Sequence, residues 1–150
     1  MRSALAALRC AYQWIVLFSV FRTVRVPGAV ALSTLIDKVL IPAMGWRRAY
    51  HDHCTMDPRN GAMYGSKSCT SVDSAFRPTG MHGYVFVNDD HVRLGDLMGA
   101  VGERLHWTYD LGVRWEHTIE VVDVSSTLPP DEEPHVFKSG RCRRVPARRW

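Results

Sequence analysis

Three histidines and an aspartate combine the side-chain chemistry of a metal site with suggestive spacing. His51 and His53 are separated by one residue, so on a strand both imidazoles would project from one face. Asp110 and His117 lie further along, at the entrance to and within a second extended segment. Imidazole and carboxylate groups can together hold zinc, manganese or iron, which would allow metal-dependent hydrolysis. The structural alternative is that His117 donates to a backbone carbonyl and orients Trp115.

The segment Arg114–Val124 predicts the strand that would position His117. An Asp-x-Gly turn comes directly before it, and Gly112 is expected to supply the permissive backbone of a tight reversal. Glu116 and Glu120 fall on the strand face opposite His117, so they cannot form an acid/base pair with it without another element. A strand's period of two predicts that one face carries Trp115, His117, Ile119 and Val121.

Nucleophilic catalysis is not predicted. The candidate nucleophiles Ser66, Ser68 and Cys69 lie in a stretch rich in Gly, Ser, Asn and Pro, with no G-x-S-x-G frame around them. The chain also has no glycine-rich phosphate loop and no regular β-α-β alternation, which argues against a nucleotide-binding fold. No catalytic residue is assigned.

A binding surface is predicted from the tryptophans and arginines Trp46, Arg47, Arg48 and Trp115. Arginine beside aromatic residues is typical of stacking and phosphate contacts, so the partner could be nucleic acid or protein. The simpler interpretation is that the tryptophans are core and the arginines a solvated rim. Charge favours it: five of the 19 Lys+Arg residues lie in the last ten positions, which leaves 14 against 15 Asp+Glu elsewhere, a net charge of −1.

Cysteine spacing and the N-terminus predict an intracellular, cytoplasmic protein. The four cysteines form no C-x-x-C pair, so free thiols in a reducing compartment are expected. Arg9 and Gln13 interrupt the apolar N-terminal stretch, and the run 14–21 is far shorter than the roughly 20 residues of a membrane helix. We therefore predict neither a cleaved signal nor a membrane association.

The order of elements predicts a single α+β domain whose mostly antiparallel sheet is covered by a helix. Stretches 12–26, 48–56, 81–87, 103–110 and 114–124 have strand character, whereas 57–79 is predicted to be an irregular loop. A helical stripe, ended near Pro42, is formed by Leu32, Leu35, Ile36, Val39 and Leu40. From Ser125 onward, prolines, an acidic run and a basic run predict loop or disorder.

The segment "YDLGVRWEHTIEVVDV" (109–124) resembles the signature "YDFGDxWxHxIxVE" of the plasmid pRiA4b ORF-3-like proteins, also called the MM3350-like family. The segment 21–46 is similar to the family's "WRRVxVPxxxTLxxLHxxIQxxMGW" opening. "YHDHCTM" (50–56) occupies the place of its "HLHxF" strand, and 92–110 matches the part before the signature. The likeness covers roughly residues 12–124 in three ordered motifs.

The resemblance implies an MM3350-like roll over residues 12–124, with an N-terminal extension (1–11) and a tail (125–150). The positions that match family motifs are His53, Asp110, Gly112, Trp115 and His117. The second acid of the family's "FGD" is missing, because Val113 stands there, and this weakens the metal interpretation. The family usually continues with an acidic segment where this chain has its Arg-rich end, so a truncated or divergent C-terminus is expected.

Together, residues and resemblance predict a non-catalytic binding or accessory module. The family's place in mobile elements makes a nucleic-acid context an indirect expectation, because fold-level analogy is weak evidence for function. The alternative is a metal-dependent hydrolase built from His51, His53, Asp110 and His117. A divalent metal is therefore considered as a cofactor but not favoured, and the sequence gives no oligomeric state.

Overall fold

One mixed sheet organises the part of the chain described by the computed structural model, residues 5–14, 18–66, 86–125 and 135–143. Its strand order is β5-β4-β3-β6-β7-β1-β2-β8, and all neighbours are antiparallel except β4 and β5. The strands are β1 (Leu5–Trp14), β2 (Phe18–Pro27), β3 (His53–Met56), β4 (Met63–Gly65), β5 (Phe86–Asn88), β6 (Arg104–Tyr109), β7 (Trp115–Ser125) and β8 (His135–Arg143). The predicted α+β architecture with a mostly antiparallel sheet is confirmed.

The main helix, α1, covers one face of this sheet. It consists of an α-helical turn at Leu32–Thr34, a π-helical stretch at Leu35–Leu40 and an α-helical turn at Ile41–Ala43. It thus passes through Pro42, near which the sequence predicts its end. A proline inside an α-helix clashes with the carbonyl four residues earlier, and the wider π turn accommodates it.

Backbone hydrogen bonds and an arginine fix the C-terminal end of α1. The Ile41 N–H donates to the Ile36 carbonyl five residues earlier, and the Trp46 N–H donates to the Ile41 carbonyl at 2.9 Å. Nε of Arg22, on β2, donates to the Ala43 carbonyl at 2.9 Å. Since terminal helix carbonyls have no partner within the helix, this contact joins the end of α1 to the sheet.

The hydrophobic core lies between α1 and the sheet. All five residues of the predicted helical stripe are buried. A short second helix, α2 (Leu94–Leu97), adds the fully buried Leu94. The sheet contributes Leu8, Cys10, Val24, Val26, Leu105, Trp107, Ile119 and Val121. Burial raises the pKa of the Cys10 thiol, and the buried Cys10 and Cys54 are not part of a disulfide.

The structure differs from the predicted boundaries at both ends of the domain. Residues 5–11, predicted to be an extension, belong to β1, a central strand paired with β7 and β2. Within the predicted tail, β8 pairs with β2 at the edge of the sheet. The β1 and β7 partners are more than a hundred residues apart, which local patterns cannot reveal. A polar strand is tolerated at an edge, where one side of the backbone lacks a neighbouring strand.

The region between β3 and β6 differs from the prediction in a similar way. β4 lies inside the predicted irregular loop, where residues 67–79 are outside the described ranges. Of the predicted strand 81–87, residues 81–85 are also outside, and β5 begins at Phe86. Among the described residues, no helix is both long and apolar enough to cross a membrane.

Candidate functional site

An aromatic cluster centred on His117 lies between the sheet and the chain that follows α1. β7 directs Trp115 and His117 to the helix-covered face, as the strand period predicts. Trp107 on β6 stacks on His117 with ring centroids 4.2 Å apart, and Trp46 lies 4.9 Å from Trp115. Trp46 also stacks on Tyr109 at 5.5 Å, with an angle of 17° between the planes. Of the family-motif residues, His117 is thus buried and Trp115 half-buried in this cluster.

Trp46 and His117 are joined by a hydrogen bond that fixes the state of the imidazole. The indole Nε1 of Trp46 donates to Nε2 of His117 at 3.1 Å. An accepting Nε2 carries no proton, so the neutral ring is protonated on Nδ1. Burial lowers the pKa of His117 to about 4, although hydrogen bonding with the backbone of Trp107 and Trp115 acts in the opposite direction. His117 is therefore a neutral acceptor near pH 7.

Beside this cluster, two loops face each other: residues 46–52 and residues 110–114, which we call the loop pair. The Tyr109 hydroxyl, at the base of the second loop, donates to the Arg47 carbonyl at 2.6 Å. The Asp110 N–H donates to the Asp52 carbonyl at 2.9 Å. His51 Nδ1 and Asp110 Oδ2 are 3.4 Å apart. These three links hold the two loops together.

Backbone strain is concentrated in the loop pair. Three non-glycine residues among those the structure describes have a positive φ: Ala49 at 52°, Asp110 at 57° and Arg114 at 62°. The left-handed region is uncommon for residues with a Cβ, and such strain gathers at binding and catalytic sites. The expectation that Gly112 supplies the permissive conformation is wrong, because Asp110 and Arg114 adopt it instead.

Asp110 carries the turn through its side chain. Its Oδ1 accepts the backbone N–H groups of Gly112 and Val113, each at 3.1 Å, while Oδ2 faces His51. An aspartate tolerates the left-handed region when its carboxylate bonds the backbone two residues on. The Asp-x-Gly motif therefore has a structural explanation that needs no metal.

We expect Asp110→Ala to lower the free energy of unfolding by about 1–2 kcal/mol, because a left-handed alanine is strained and two backbone donors lose their acceptor. Asp110→Asn is the control, since its amide oxygen can still accept both bonds and asparagine tolerates this backbone. Urea denaturation of both variants measures the difference. Equal stability of Asp110→Ala and wild type would contradict a turn-forming role.

The outer surface of the loop pair exposes two large hydrophobic side chains among charged ones. Tyr50 is 60% exposed, and the Arg47 guanidinium carbon lies 5.1 Å from its ring centroid. Val113, on the opposite loop, is 65% exposed. A cleft of about 460 Å³ runs between the loops and is lined by Ala49, Tyr50, His51, Asp52, Asp110, Leu111 and Gly112.

The four residues predicted as a binding surface occupy different environments. Trp46 and Trp115 are half-buried in the aromatic cluster, whereas Arg47 and Arg48 are exposed. Arg48 makes a two-point contact with Asp37 on α1, with Nε–Oδ1 at 3.2 Å and Nη2–Oδ2 at 2.5 Å. This hydrogen bonding holds the pKa of Asp37 below its ordinary value. Arg47 is thus the exposed arginine of the set that adjoins an exposed aromatic ring.

The comparisons with known proteins agree with this architecture. A family model for the plasmid pRiA4b ORF-3-like proteins matches residues 16–147. The chain belongs to the plasmid pRiA4b ORF-3-like family. Its fold is similar to that of the protein of unknown function MM3350 from Methanosarcina mazei Go1, with a TM-score of 0.68 and 19% identity over 93% of this chain and 71% of that one. No curated protein is significantly similar to the chain.

The four metal-ligand candidates of this pRiA4b ORF-3-like domain lie in three environments. His51 faces Asp110, His117 accepts from Trp46, and His53 Nε2 lies 3.4 Å from Asp89 Oδ2. Of the pair His51 and His53, His53 is on β3 but His51 precedes that strand, so the two do not share a strand face. Within the ranges that the structure describes, no three His, Cys, Asp or Glu side chains come together as ligands.

Several residues of this site escape a sequence-based prediction. Trp107 and Tyr109 lie two residues apart on β6 just before Asp110, and this period of two indicates that they share one face of the strand. Tyr50 carries no pattern that distinguishes an exposed aromatic side chain from a buried one. Asp89, 2% exposed, is 36 positions from its partner His53, so only the folded chain reveals the pair.

Proposed function

We propose that this pRiA4b ORF-3-like domain is a non-catalytic binding module that contacts a protein partner through the loop pair. The observation that carries the proposal is the exposed Tyr50 ring, held against the Arg47 guanidinium beside the cleft between the loops. Tyrosine, tryptophan and arginine are enriched among the residues that dominate protein–protein binding energies. Val113 adds apolar area on the facing loop.

The links between the loops favour tight binding. Ordering a loop on association consumes part of the interaction energy, and a surface already held in one conformation avoids that loss. The contacts of Tyr109 with Arg47 and of Asp110 with Asp52 join the two loops before a partner arrives. Positive φ values at Ala49 and Arg114 are consistent with a surface maintained for contact.

Charge favours a protein over a nucleic acid as the partner. Phosphate recognition relies on several free cations on one face. Of the arginines in the first loop, Arg48 is paired with Asp37, and Asp52 and Asp110 bring negative charge to the cleft. The chain outside its last ten residues has a net charge of −1. A nucleic-acid partner is therefore an outcome to be tested.

A photo-crosslinking amino acid at Val113 is expected to capture a discrete partner in cells that naturally express the protein. Val101 is the matched control, because it is exposed to the same degree (63% against 65%) but lies at the opposite end of the β6–β7 hairpin. The Val113 adduct should resist nuclease and be removed by protease. An adduct dissolved by nuclease would identify a nucleic-acid partner, and equal adducts at both valines would contradict the proposal.

The double variant Arg47→Ala/Tyr50→Ala should then weaken binding to the captured partner by about 30-fold, because truncation of a dominant contact costs about 2 kcal/mol. Both side chains are exposed, so the melting temperature should change little. Arg104→Ala is the control, since Arg104 is an exposed arginine in a surface ion pair at the far end of the hairpin. Unchanged affinity of the double variant would refute the loop pair as the contact surface.

A further inference from the structure

A row of soft metal-ligating side chains crosses the sheet on the face opposite α1. Met56 on β3 is the direct partner of Met63 on β4 and, on its other side, of His106 on β6. Thr55 and Trp107, which alternate with these residues, are buried, so Met56 and His106 project from the other face. The pairing register therefore sets two thioethers and one imidazole side by side.

The spacing of this row suits convergence on one ion. Direct cross-strand partners have Cβ atoms about 4.5–5.5 Å apart, and the flexible methionine side chains can lean along the row. Cys54 lies two residues before Met56 on the same strand and therefore on the same face. All four side chains line one groove of about 690 Å³.

Exposure distinguishes this row from ordinary core packing. Met63 is 6% exposed, but Met56 is 36% exposed and His106 is also exposed. Methionines that only fill gaps in a core are covered by their neighbours. Here the central donor and the imidazole are accessible from the groove, while the second thioether lies at its base.

The donor set indicates the kind of ion. Thioether and thiolate sulfur select Cu(I), imidazole also binds copper, and Mg²⁺ or Ca²⁺ would require oxygen ligands. We propose that Met56, Met63 and His106 form a binding site for a soft monovalent cation, Cu(I). None of these three ligands belongs to the loop pair, so the site does not rest on the binding function proposed for it.

The test is an anaerobic titration of the reduced full-length protein with Cu(I) against a chromophoric Cu(I) chelator. A background of Cys69→Ser/Cys142→Ser removes two thiols, which leaves the buried Cys10 and the groove residue Cys54. One Cu(I) per chain is expected. Met56→Leu/Met63→Leu should weaken binding by about 100-fold or more, because changes even beyond the first coordination shell cost about 10–100-fold. Binding that stays unchanged in this variant, or wild-type protein that withdraws no copper from the chelator, would overturn the proposal.

Two controls distinguish the loss of a specific copper site from a general effect of removing methionines. Met44→Leu/Met98→Leu removes the same number of thioethers from the other side of the sheet and should bind as wild type does. In protein carrying selenomethionine, X-ray absorption at the copper edge should show a selenium neighbour that disappears in Met56→Leu/Met63→Leu. His106→Ala should remove a nitrogen neighbour and weaken binding while the melting temperature of the apoprotein is retained. A copper spectrum without selenium would assign the ion to thiols and refute the site.

Discussion

Replacing His117 with alanine is expected to lower the free energy of unfolding by about 3 kcal/mol. The imidazole is 2% exposed, stacks on Trp107 at 4.2 Å and accepts the Trp46 indole N–H. Its removal leaves a cavity inside the aromatic cluster and an indole donor without its acceptor, and both effects destabilise. Urea or thermal denaturation of the variant and the wild type measures the loss.

His117→Gln is the matched comparison for this experiment. The glutamine amide oxygen can accept from Trp46 and occupies part of the imidazole volume, so this variant should recover about 1 kcal/mol or more relative to alanine. A stable, fully folded His117→Ala protein would show that the cluster does not depend on the imidazole. That result would return His117 to the set of candidate chemical residues.

Acidification should destabilise the domain through His117 well before its carboxylates titrate. The folded-state pKa of His117 is about 4, below its ordinary value of 6.5, because burial disfavours the charged ring. The unfolded chain therefore binds this proton more readily. Stability is fully present above pH 6.5 and falls as the pH decreases towards 4, by up to about 1.4 kcal/mol per pH unit and about 3 kcal/mol in total.

Denaturation midpoints measured from pH 7 to pH 5 test this dependence. Asp37, Asp57 and Glu103 also have lowered pKa values, owing chiefly to hydrogen bonds with Arg48, with Arg59 and with the backbone N–H of Ala100 respectively. Their stabilising contributions are lost mainly below their ordinary values of 3.8 and 4.5. Between pH 5 and pH 7, the change in stability with pH is therefore attributed to histidine. His117→Gln should flatten the slope there, and an equally steep slope would assign the effect to another group.

Most of what the sequence predicts about the fold follows from the local periodicity of its apolar residues. The alternation in Arg114–Val124 places Trp115 and His117 on the buried face, and the stripe on α1 matches its buried residues. Local periodicity does not predict the pairing of β1 and β8. The alanine-containing β1 and the polar β8 become strands because β7 and β2 pair with them from distant parts of the chain.

The candidate site is less predictable for the same physical reason. The hydrogen bond between Trp46 and His117 spans 71 positions, and His53 pairs with an aspartate that no motif marks. The Asp-x-Gly spacing correctly indicates a turn between β6 and β7, but the left-handed backbone falls on Asp110 and Arg114 instead of the glycine. Sequence spacing identifies residues that belong to the site, whereas tertiary contacts determine which side chains those residues touch.

The π-helical stretch in α1 determines how far the chain that follows it is rotated about the helix axis. A helix advances by about 100° per residue, so the one extra residue in a π turn rotates the downstream chain by nearly a third of a revolution. Trp46 follows this stretch at the end of α1, where its N–H bonds the Ile41 carbonyl, and its indole donates to His117. The length of α1 therefore determines the direction in which residues 46–52 of the loop pair leave the helix. An insertion or deletion between Leu35 and Leu40 would redirect that loop although its own residues stay the same.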